Sequence, residues 1–417
     1  MKRRALLIGT FDTKGAEYAL VRSLILARGH DVVTMDIGVL GDDPAPFRVD
    51  IGADDVARAG GAALADLRAR NDRGTAVDAM LRGAKTLIAQ LFAANRFDGV
   101  LGLGGGGGTT MITAAMRELP VGVPKVMVST MASGNTTPYV DVKDITMMYS
   151  VVDIAGINPI SRRILTNAAG AICGMLDTLS GDVTQTDRPI VAATMFGVTT
   201  PCVTAARQQL ETAGFDVVVF HATGTGGRAM EGLIDDGFFR AVLDVTTTEW
   251  ADEVVGGVLT AGPDRLAAAG RQGIPQVVSV GALDMVNFGA ADTVPSRFSA
   301  RNLYKHNATV TLMRTTADEC REIGSRIIGQ LNQATGPVTL VLPLRGVSML
   351  DAPGKPFHDP DADEALFESL RGGARPNVNI REIDAHINDP AFADAMVGEL
   401  LALMAEPSAH FPLPTPH

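Results

Sequence analysis

The sequence predicts an α/β protein with two Rossmann-like lobes, each a mainly parallel sheet flanked by helices, and a cleft between the lobes. The chain has 417 residues, more than the roughly 250 to 300 that one hydrophobic core usually serves. Its hydrophobic content of 46% and charged content of 20% are typical of a globular protein that buries large sheets. A pattern of strand, loop, helix and strand also occurs twice.

The two copies of this pattern indicate lobes of related plan. In the first copy, apolar residues 5–9 lead into a polar turn at residues 10–15 and then into a helix that ends at Gly29, since glycine readily adopts the backbone of a helix C-terminus. The second copy begins at residues 190–194, and its helix ends at Gly214 before another strand.

The most polar connection, residues 180–188, separates the copies, so we place the first lobe at residues 1–184 and the second at residues 185–417. Residues 54–95 predict helix, and the proline-rich tail 410–417 is expected to be loosely held. Short apolar runs predict further strands at 32–37, 99–103, 125–129, 217–221, 276–280, 309–313 and 338–342. Runs without alternation are typical of parallel sheets covered on both faces.

Composition disfavours several classes of partner. The net charge is −11 and no cluster of lysine and arginine appears, which argues against nucleic acid. No run of about 18 apolar residues predicts a membrane span. The basic N-terminus leads into an apolar stretch that stops at Gly9, so we interpret it as a first strand rather than a signal peptide. Cys173, Cys202 and Cys320 match no disulfide framework or metal spacing, which favours a cytoplasmic location.

The strongest local signal is a run of glycines and threonines between a predicted strand and a predicted helix. Backbone N–H groups in such a turn close on a phosphate, and the helix dipole favours its negative charge. The run is neither a P-loop nor a GxGxxG fingerprint; it is closer to the Gly-Gly-Asp-Gly-Thr turn of sugar and dinucleotide kinases, with Gly107 where the acid would stand. We predict a nucleotide site at Gly104, Gly105, Gly106, Gly107, Gly108, Thr109 and Thr110. That the glycines serve only a tight turn and close packing stays open.

Two further turns are expected at the same edge of the first sheet, because ligands of α/β proteins bind at the carboxyl ends of strands. Lys14 would neutralise phosphate, Asp12 would hold magnesium or a ribose hydroxyl, and Phe11 would flank a base. Asp12 as a helix cap is at least as good an alternative, and Asp36, at the end of the second strand, is a weaker candidate for binding ribose. The remaining candidates are Thr10 in the first turn and Ser129, Ser133, Gly134 and Asn135 after the fourth strand.

The second lobe carries candidates for substrate binding and acid–base chemistry. A glycine turn at residues 221–231 could receive a second anion, and a purely structural turn is the alternative. Polar residues after a later strand suit a carboxylate or phosphate pocket, although loop capping explains them equally. The catalytic candidates are His221, Glu249, Asp284, Arg301 and His306, with Asn287 and Asn307 beside them.

Two clusters of histidine and aspartate, residues 358–363 and 386–390, have the superficial composition of metal sites. Each contains an Asp-Pro pair, the expected start of a helix with aspartate as N-cap and proline at the first helical position. We favour capping and predict no metal. Cys202 is interpreted as a buried thiol rather than a nucleophile.

Seven phrases together carry a family resemblance: residues 9–14, 102–110, 244–249, 281–288, 306–307, 312–316 and 384–390. The chain resembles the uncharacterised bacterial proteins similar to the ATP-binding N-terminal half of the plant tobamovirus-resistance protein. The resemblance implies two Rossmann-like lobes, self-association into dimers or higher oligomers, and ATP binding at residues 10–14, 104–110 and 129–135. In plants the module is fused to a TIM-barrel domain resembling phosphoenolpyruvate hydrolases, which implies a separately encoded barrel protein as partner here.

Three hypotheses about function follow. The first is an ATP-binding protein, with magnesium, that acts as an ATP-dependent enzyme on a small carboxylated or phosphorylated metabolite in the inter-lobe cleft. The second is a non-catalytic, ATP-regulated assembly module that works with the barrel partner. The third is a metabolic enzyme of the barrel partner's pathway that uses a phosphorylated substrate rather than ATP.

Overall fold

The computed structural model describes residues 2–39, 45–179 and 188–405. The chain divides into two compact units, Met1–Gln185 and Thr186–His417. The lobe boundary expected from the sequence and the proline-rich tail lie outside the described residues. No helix in the described ranges has both the length and the apolar composition needed to cross a bilayer.

The first unit is a five-stranded sheet with seven helices in the part of it that is described. Its strands are β1 (Arg4–Gly9), β2 (Asp31–Asp36), β3 (Gly99–Gly104), β4 (Lys125–Ser129) and β5 (Thr146–Tyr149). Its helices are α1 (Phe11–Ala27), α2 (Ala53–Ala59), α3 (Leu64–Arg70), α4 (Arg73–Ala93), α5 (Gly106–Met116), α6 (Thr137–Val140) and α7 (Pro159–Thr178). The order across the sheet is β2-β1-β3-β4-β5, and all four pairings are parallel.

The second unit holds a six-stranded sheet and a separate three-stranded sheet. The large sheet contains β6 (Ile190–Met195), β7 (Asp216–His221), β8 (Ala241–Thr246), β9 (Gln276–Gly281), β13 (Val338–Pro343) and β14 (Val378–Ile383). The small sheet contains β10 (Met285–Phe288), β11 (Leu303–Lys305) and β12 (Thr311–Arg314). The helices are α8 (Thr200–Thr212), α9 (Thr225–Asp235), α10 (Glu249–Val255), α11 (Ala268–Gln272), α12 (Ala317–Leu331), α13 (Pro360–Gly373) and α14 (Pro390–Ala405).

The two large sheets share one plan. The order of the second is β14-β13-β9-β8-β6-β7, with parallel pairing throughout. Its first three strands therefore lie as β7-β6-β8, just as the first sheet begins β2-β1-β3. In both sheets the strand that comes first in the chain lies between the second and the third, so the strand order reverses beside it. The prediction of two α/β lobes of related plan with parallel sheets is confirmed.

Burial on both faces explains why the strands read as continuous apolar runs. Leu6 and Ile8 of β1 pack into one core with helices α2 to α5. Ala5 and Leu7, which alternate with them, pack into a second core against α1 and α7. Successive side chains of a strand point to opposite faces, so a sheet covered on both faces needs apolar residues at every position.

Three predicted elements differ from the structure. The strand expected at 309–313 is β12, which pairs antiparallel with β10 and β11 rather than joining the parallel sheet. The helical stretch 54–95 is three helices, interrupted at the left-handed Gly61 and Asn71. Helix α1 begins at Phe11 rather than after a polar turn, and only Lys14 departs from helical geometry inside it.

Candidate functional site

A cavity of about 260 Å³ lies in the first unit, next to the carboxyl ends of β1 and β3. It is lined by Thr10, Asp12, Thr13, Lys14, Ile37, Val39, Arg73, Ala76, Val77, Gly105, Gly106, Gly107, Gly108 and Met111. The order β2-β1-β3 reverses at this point. In open α/β sheets such a switch point is where ligands bind, because the connections leave it on opposite faces and open a crevice.

The glycine run forms the floor of the cavity. Strand β3 ends at Gly104, Gly105 is the N-cap, and α5 begins at Gly106. The first hydrogen bond into the helix runs from Thr109 N to Gly105 O, at 2.8 Å. The N–H groups of Gly106, Gly107 and Gly108 donate to no atom in the described part of the chain, as expected for the first turn of a helix. They are therefore available to an anion in the cavity.

Packing requires only part of the run to be glycine. A Cβ at Gly104 would lie 2.9 Å from the backbone of Gly108 and Thr109, so α5 can approach β3 only over a glycine. A Cβ at Gly106 would meet nothing within 4 Å, and one at Gly107 would lie 3.5 Å from Arg73 Nη2, an ordinary contact distance. Neither has a positive φ. Packing and turn geometry therefore leave these two unexplained, and both residues line the cavity.

The hydroxyl of Tyr18 separates β1 from β3 beneath the cavity. The strands pair only as far as Ile8 and Gly102. Beyond that point the Tyr18 hydroxyl donates to Ile8 O at 2.6 Å and accepts from Leu103 N at 2.7 Å. A Cβ at Gly9 would collide with this oxygen. The Tyr18 hydroxyl thus replaces one main-chain hydrogen bond between β1 and β3 and opens the crevice. Burial raises the pKa of Tyr18 well above the usual range.

The first turn of α1 supplies polar groups to the wall. The Thr10 and Thr13 hydroxyls lie 2.9 Å apart. Lys14 lines the cavity, and its Nζ donates to Ile154 O at 2.5 Å. Asp12 also lines the cavity and lies inside the first helical turn, where Thr10 rather than Asp12 is the N-cap. The capping alternative for Asp12 is therefore wrong.

Two further candidates, Phe11 of this turn and Asp36 at the end of β2, are engaged within the protein. Phe11 is 2% exposed and packs edge-on against Tyr18 and Phe47, so its ring belongs to the core and cannot flank a base. Asp36 accepts hydrogen bonds from Phe11 N and Gly38 N, which fixes the start of α1. Burial raises the pKa of Asp36.

Sequence reasoning missed the opposite wall. Arg73 is the first residue of α4, whose N-cap Asp72 accepts from Gly74 N and Thr75 N. Its guanidinium lies beside Gly107 and makes no ion pair with the residues that the structure describes. The apolar part of the wall consists of Ile37, Val39, Ala76, Val77 and Met111. The only sequence signal was the Asp-Arg-Gly-Thr helix start, which says nothing about its distance from the glycine run.

Of the candidates after β4, Ser129 contacts Thr109 of the glycine run, and Ser133, Gly134 and Asn135 do not line the cavity. Ser129 and Thr109 are fully buried and share a hydrogen bond of 2.7 Å between their hydroxyls. This hydrogen bond holds the end of the glycine run against β4. Thr130 Oγ1 is 3.7 Å from where a Cβ of Gly105 would stand. The Thr110 hydroxyl donates back to Gly106 O. Ser133, Gly134 and Asn135 are exposed and are not among the residues that line the cavity.

Comparison with known proteins identifies the family. The N-terminal domain of UPF0261, described as an uncharacterised protein family, matches residues 3–180, and the C-terminal domain of the same family matches residues 188–404. The chain belongs to the UPF0261 family.

Relatives of this UPF0261 chain occur in bacteria and in a plant. A UPF0261 protein of Clostridium tetani is 50% identical over 405 residues, which span 97% of this chain and 100% of that protein. The ToMV resistance protein Tm-1(GCR237) of Solanum lycopersicum is 44% identical over 337 residues, which span 79% of this chain and 45% of the tomato protein. Among solved structures, a UDP-N-acetylglucosamine 2-epimerase of Rickettsia bellii aligns over 66% of this chain and 78% of its own, with 11% identity and a TM-score of 0.23. Likeness this low carries no functional argument.

In the second unit of this UPF0261 chain, a carboxylate of the protein itself occupies the glycine turn. Glu249 Oε1 accepts from Gly224 N at 2.7 Å and from Gly227 N at 3.0 Å. A Cβ at Gly227 would collide with Glu249 Oε2, so glycine is needed for this approach. The expectation of a second anion site is therefore wrong, because the N–H groups of Gly224 and Gly227 already bind a carboxylate of the protein.

Arg265 holds Glu249 in place. This arginine is 1% exposed. Its Nε donates to Glu249 Oε2 at 2.7 Å, and its two terminal nitrogens donate to the two oxygens of Asp244 at 2.5 and 2.7 Å. Glu231 adds a third carboxylate at 3.2 Å. Glu249 is consequently a structural group, and it is not placed to act as an acid or base on a ligand.

Two more catalytic candidates are bonded to other groups of the protein. Arg301 makes two hydrogen bonds to Glu319, at 2.8 and 2.7 Å. Asp284 is 1% exposed and accepts from the Ser348 hydroxyl at 2.7 Å, and burial raises its pKa to about 7. The predicted pocket for a substrate carboxylate is not formed by these residues.

Asn287, which follows the same predicted strand, is also part of the interior. It is buried and donates to Asp252 at 2.6 Å. Its side chain therefore fixes a neighbouring carboxylate of the protein rather than facing a ligand.

The remaining candidates lie on the surface. His221 is exposed at the end of β7, with Nδ1 3.2 Å from Met195 O. His306 is exposed, and Asn307 Oδ1 accepts from Thr309 N at 2.8 Å. Loop capping therefore explains Asn307.

The histidine and aspartate clusters serve local structure. Asp359 is the N-cap of α13 and accepts from Ala362 N, with a proline at the first helical position, as predicted. Asp389 precedes α14, but its carboxylate accepts from His386 N rather than from the helix. His386 Nε2 lies 2.9 Å from Ser348 O, and its Nδ1 accepts from Asn388 N. No group of three metal-ligating side chains occurs in the described ranges.

The three cysteines are buried and unpaired. Burial raises the pKa of Cys202 to about 12, and it raises the pKa of Cys320 to about 11. A thiol is nucleophilic only as the thiolate, so neither residue is a nucleophile near neutral pH. The interpretation of Cys202 as a buried thiol is confirmed.

Proposed function

We propose that this UPF0261 chain is an ATP-binding protein whose first unit holds the nucleotide in the cavity at the switch point between β1 and β3. The observation that carries the proposal is the floor of that cavity. Gly106 and Gly107 are glycines that neither φ nor packing requires, and their N–H groups have no partner in the described part of the chain. Glycine destabilises a helix relative to alanine, so their presence fits a ligand that approaches the backbone closely.

The charges around the floor support a polyphosphate. Lys14 and Arg73 line opposite sides of the cavity, and the dipole of α5 adds partial positive charge at the N–H groups. Two cations and one acid therefore line the cavity, whereas the net charge of the whole chain is −11. Asp12 is the acid that would accompany magnesium bound to the phosphates.

The apolar wall supports a base at the other end of the ligand. Ile37 and Val39 follow β2, Ala76 and Val77 belong to α4, and Met111 belongs to α5. These five side chains present methyl and methylene groups, with a polar floor at one side. An adenine ring packs against such a wall while the phosphates reach the glycines.

An assembly module is the second candidate function. Glu249, Asp284 and Arg301 are engaged in internal bonds, which removes three of the five catalytic candidates. The match covers 45% of the tomato protein, and the partner that we propose for this module is a separately encoded TIM-barrel protein. ATP would then stabilise a form of the chain that the partner recognises. The enzyme hypothesis keeps His221 and His306 as its exposed candidates.

Location and self-association complete the proposal. We propose a cytoplasmic homo-oligomer, a dimer or larger. Three buried free thiols fit a reducing compartment. Light scattering on the purified chain, with and without MgATP, measures the oligomeric state, and a monomer under both conditions would remove this part of the proposal.

Calorimetric titration with MgATP tests the binding site. Gly107→Leu places a side chain in the cavity, and we expect it to weaken binding by about tenfold or more, a loss of at least about 1.4 kcal/mol. Gly174→Leu is the matched control, because Gly174 is an exposed glycine of α7 whose Cβ would meet nothing within 4 Å. Equal affinities of Gly107→Leu and the wild type would rule out this cavity as the nucleotide site.

Turnover separates the candidate functions. Release of ADP in the presence of a small carboxylated or phosphorylated metabolite would support the enzyme. Binding without ADP release, with metabolites or with a barrel protein, would support the assembly module. Mass spectrometry of a ligand that copurifies with the chain would reveal a phosphorylated substrate used in place of ATP.

A further inference from the structure

Residues 149–156, which begin at the end of β5 and lie before α7, are tied to α1 at two points. Lys14 Nζ donates to Ile154 O at 2.5 Å. One helical turn further on, Glu17 Oε1 accepts from Gly156 N at 2.6 Å, and Glu17 is only 2% exposed. The Ile154 side chain is buried in the same core as Phe11. We call residues 149–156 the tethered segment.

The backbone departs from regular geometry on both sides of the first tether. Lys14 has φ −130° and ψ 25° inside an otherwise helical stretch. In the tethered segment, Val151 has a φ of 63°, a left-handed conformation that a β-branched residue rarely adopts. Val151 is also 58% exposed, so its own side chain contributes little packing to offset the strain. Two local hydrogen bonds span Val151, from Val152 N to Ser150 O at 2.6 Å and from the Ser150 hydroxyl to Val152 O at 2.7 Å, and the bonds from Lys14 and Glu17 hold the residues that follow.

Lys14 contacts both the cavity and the tethered segment. It lines the cavity that we propose as the nucleotide site, and its ammonium binds the tethered segment. An ammonium has three N–H donors and can serve a carbonyl and a phosphate oxygen simultaneously. If the Lys14 ammonium left Ile154 O, a partly buried carbonyl would lose its partner. The ammonium is therefore expected to keep this bond while it also binds the phosphate. A hydrogen bond to an anion is the stronger kind, and it fixes the position of the ammonium.

We infer that Lys14 links the cavity to the tethered segment, so that a bound nucleotide orders residues 149–156. The inference rests on the proposed nucleotide site and adds a regulatory consequence to it. Phosphate contact immobilises the Lys14 side chain, and the immobilised ammonium restrains Ile154 O and the adjoining backbone of the tethered segment. Nucleotide binding therefore changes the order of the backbone at the edge of the sheet, where β5 ends at Tyr149. Tyr149 is 42% exposed.

Hydrogen–deuterium exchange of the full chain, with and without saturating MgATP, tests the link. In the wild type we expect slower exchange at residues 105–111, which report binding, and also at residues 150–156. In Lys14→Gln, at a nucleotide concentration that still saturates the site, the slowing at 105–111 remains and the slowing at 150–156 is lost. Arg73→Gln is the matched control, since it removes a cation from the opposite wall, and it keeps both effects at saturation.

The outcomes distinguish the link from the binding site. Slowing at 105–111 without any change at 150–156 in the wild type overturns the link and leaves the nucleotide site standing. Faster exchange at 150–156 also overturns it, because Lys14 would then leave Ile154 for the phosphate. Equal slowing at 150–156 in Lys14→Gln and the wild type overturns it as well, because another contact would then carry the effect. No change at either segment removes the proposed nucleotide site, and the link falls with it.

Discussion

The Tyr18 hydroxyl shapes the candidate site through a single atom. It donates to Ile8 O and accepts from Leu103 N, two main-chain groups that would otherwise pair across β1 and β3. Because both residues are buried, neither group finds water when the hydroxyl is removed. The side chain therefore stabilises the first unit and holds the crevice open at the same time.

Tyr18→Phe is expected to lower the free energy of unfolding by about 1 to 3 kcal/mol, because it leaves a buried N–H and a buried carbonyl without a partner. Urea unfolding measures the change. Tyr149→Phe is the control, since Tyr149 is 42% exposed, and it should leave stability almost unchanged. Equal stabilities of Tyr18→Phe and Tyr149→Phe would mean that the strand ends pair with each other once the hydroxyl is absent.

Sequence patterns identified those site residues whose side-chain chemistry and position directly after a predicted strand both indicated a ligand. The glycine run, Asp12 and Lys14 follow predicted strands, and parallel strands end at one edge, so their convergence could be predicted. The position of Arg73 could not, because it depends on how α4 packs against α5.

Phe11 shows how the start of a helix decides which way a side chain points. The sequence predicted a polar turn as far as Gly15, which would have left the Phe11 ring free to meet a ligand. Thr10 is instead the N-cap of α1, and the helix begins at Phe11 itself. The early start turns the ring into the core, where it is 2% exposed.

At the scale of elements, the two units treat the same kind of turn differently. In the first unit, the N–H groups at the start of α5 face a cavity. In the second unit, Glu249 fills the turn before α9, and Arg265 neutralises both Glu249 and Asp244. The glycine pattern alone could not separate these cases, because the carboxylate that fills the second turn lies 22 residues further along the chain than Gly227.

Arg265→Met is expected to destabilise the second unit by about 3 to 5 kcal/mol, because it leaves buried carboxylates without their counter-charge. Arg271→Met is the matched control. Arg271 pairs with Asp235 at the surface, and exposed pairs contribute about 0 to 1 kcal/mol. Urea unfolding followed by circular dichroism compares the two variants. Similar losses in both would contradict the structural role given to the buried cluster.

At the scale of the whole molecule, burial of acids makes stability depend on pH. Burial raises the pKa of Asp252 to about 7, and it raises that of Asp284 to about 7 as well. In the unfolded chain aspartate titrates near its ordinary value of about 3.9. The folded state therefore binds more protons between these values, and the contribution of these groups to stability falls as the pH rises from about 4 to about 7.

Asp252→Asn removes one such group. We expect the loss of unfolding free energy between about pH 5 and about pH 8 to be smaller in this variant, by an amount bounded by about 1.4 kcal/mol per unit of pKa shift. Urea unfolding at the two pH values measures the loss. Asp318→Asn is the control, since the Asp318 side chain is 95% exposed. An unchanged pH dependence in Asp252→Asn would show that Asp252 titrates normally.

The overall architecture was the most predictable property of the chain. Continuous apolar strands indicated parallel sheets, since they come from burial on two faces, and the repeated pattern indicated two lobes. Strand β12 was assigned to the wrong sheet because a short apolar run does not specify its partner. The internal bonds of Asp284 and Arg301 also escaped prediction, since polar residues after a strand look the same whether they face a ligand or each other.

A crystal structure of the chain with MgATP, or with a non-hydrolysable analogue, tests the nucleotide site most directly. We predict phosphate oxygens within hydrogen-bonding distance of the N–H groups of Gly106 and Gly107, with the base against Ile37 and Met111. Nucleotide bound elsewhere, or none at a saturating concentration, would contradict the assignment of this cavity as the ATP site.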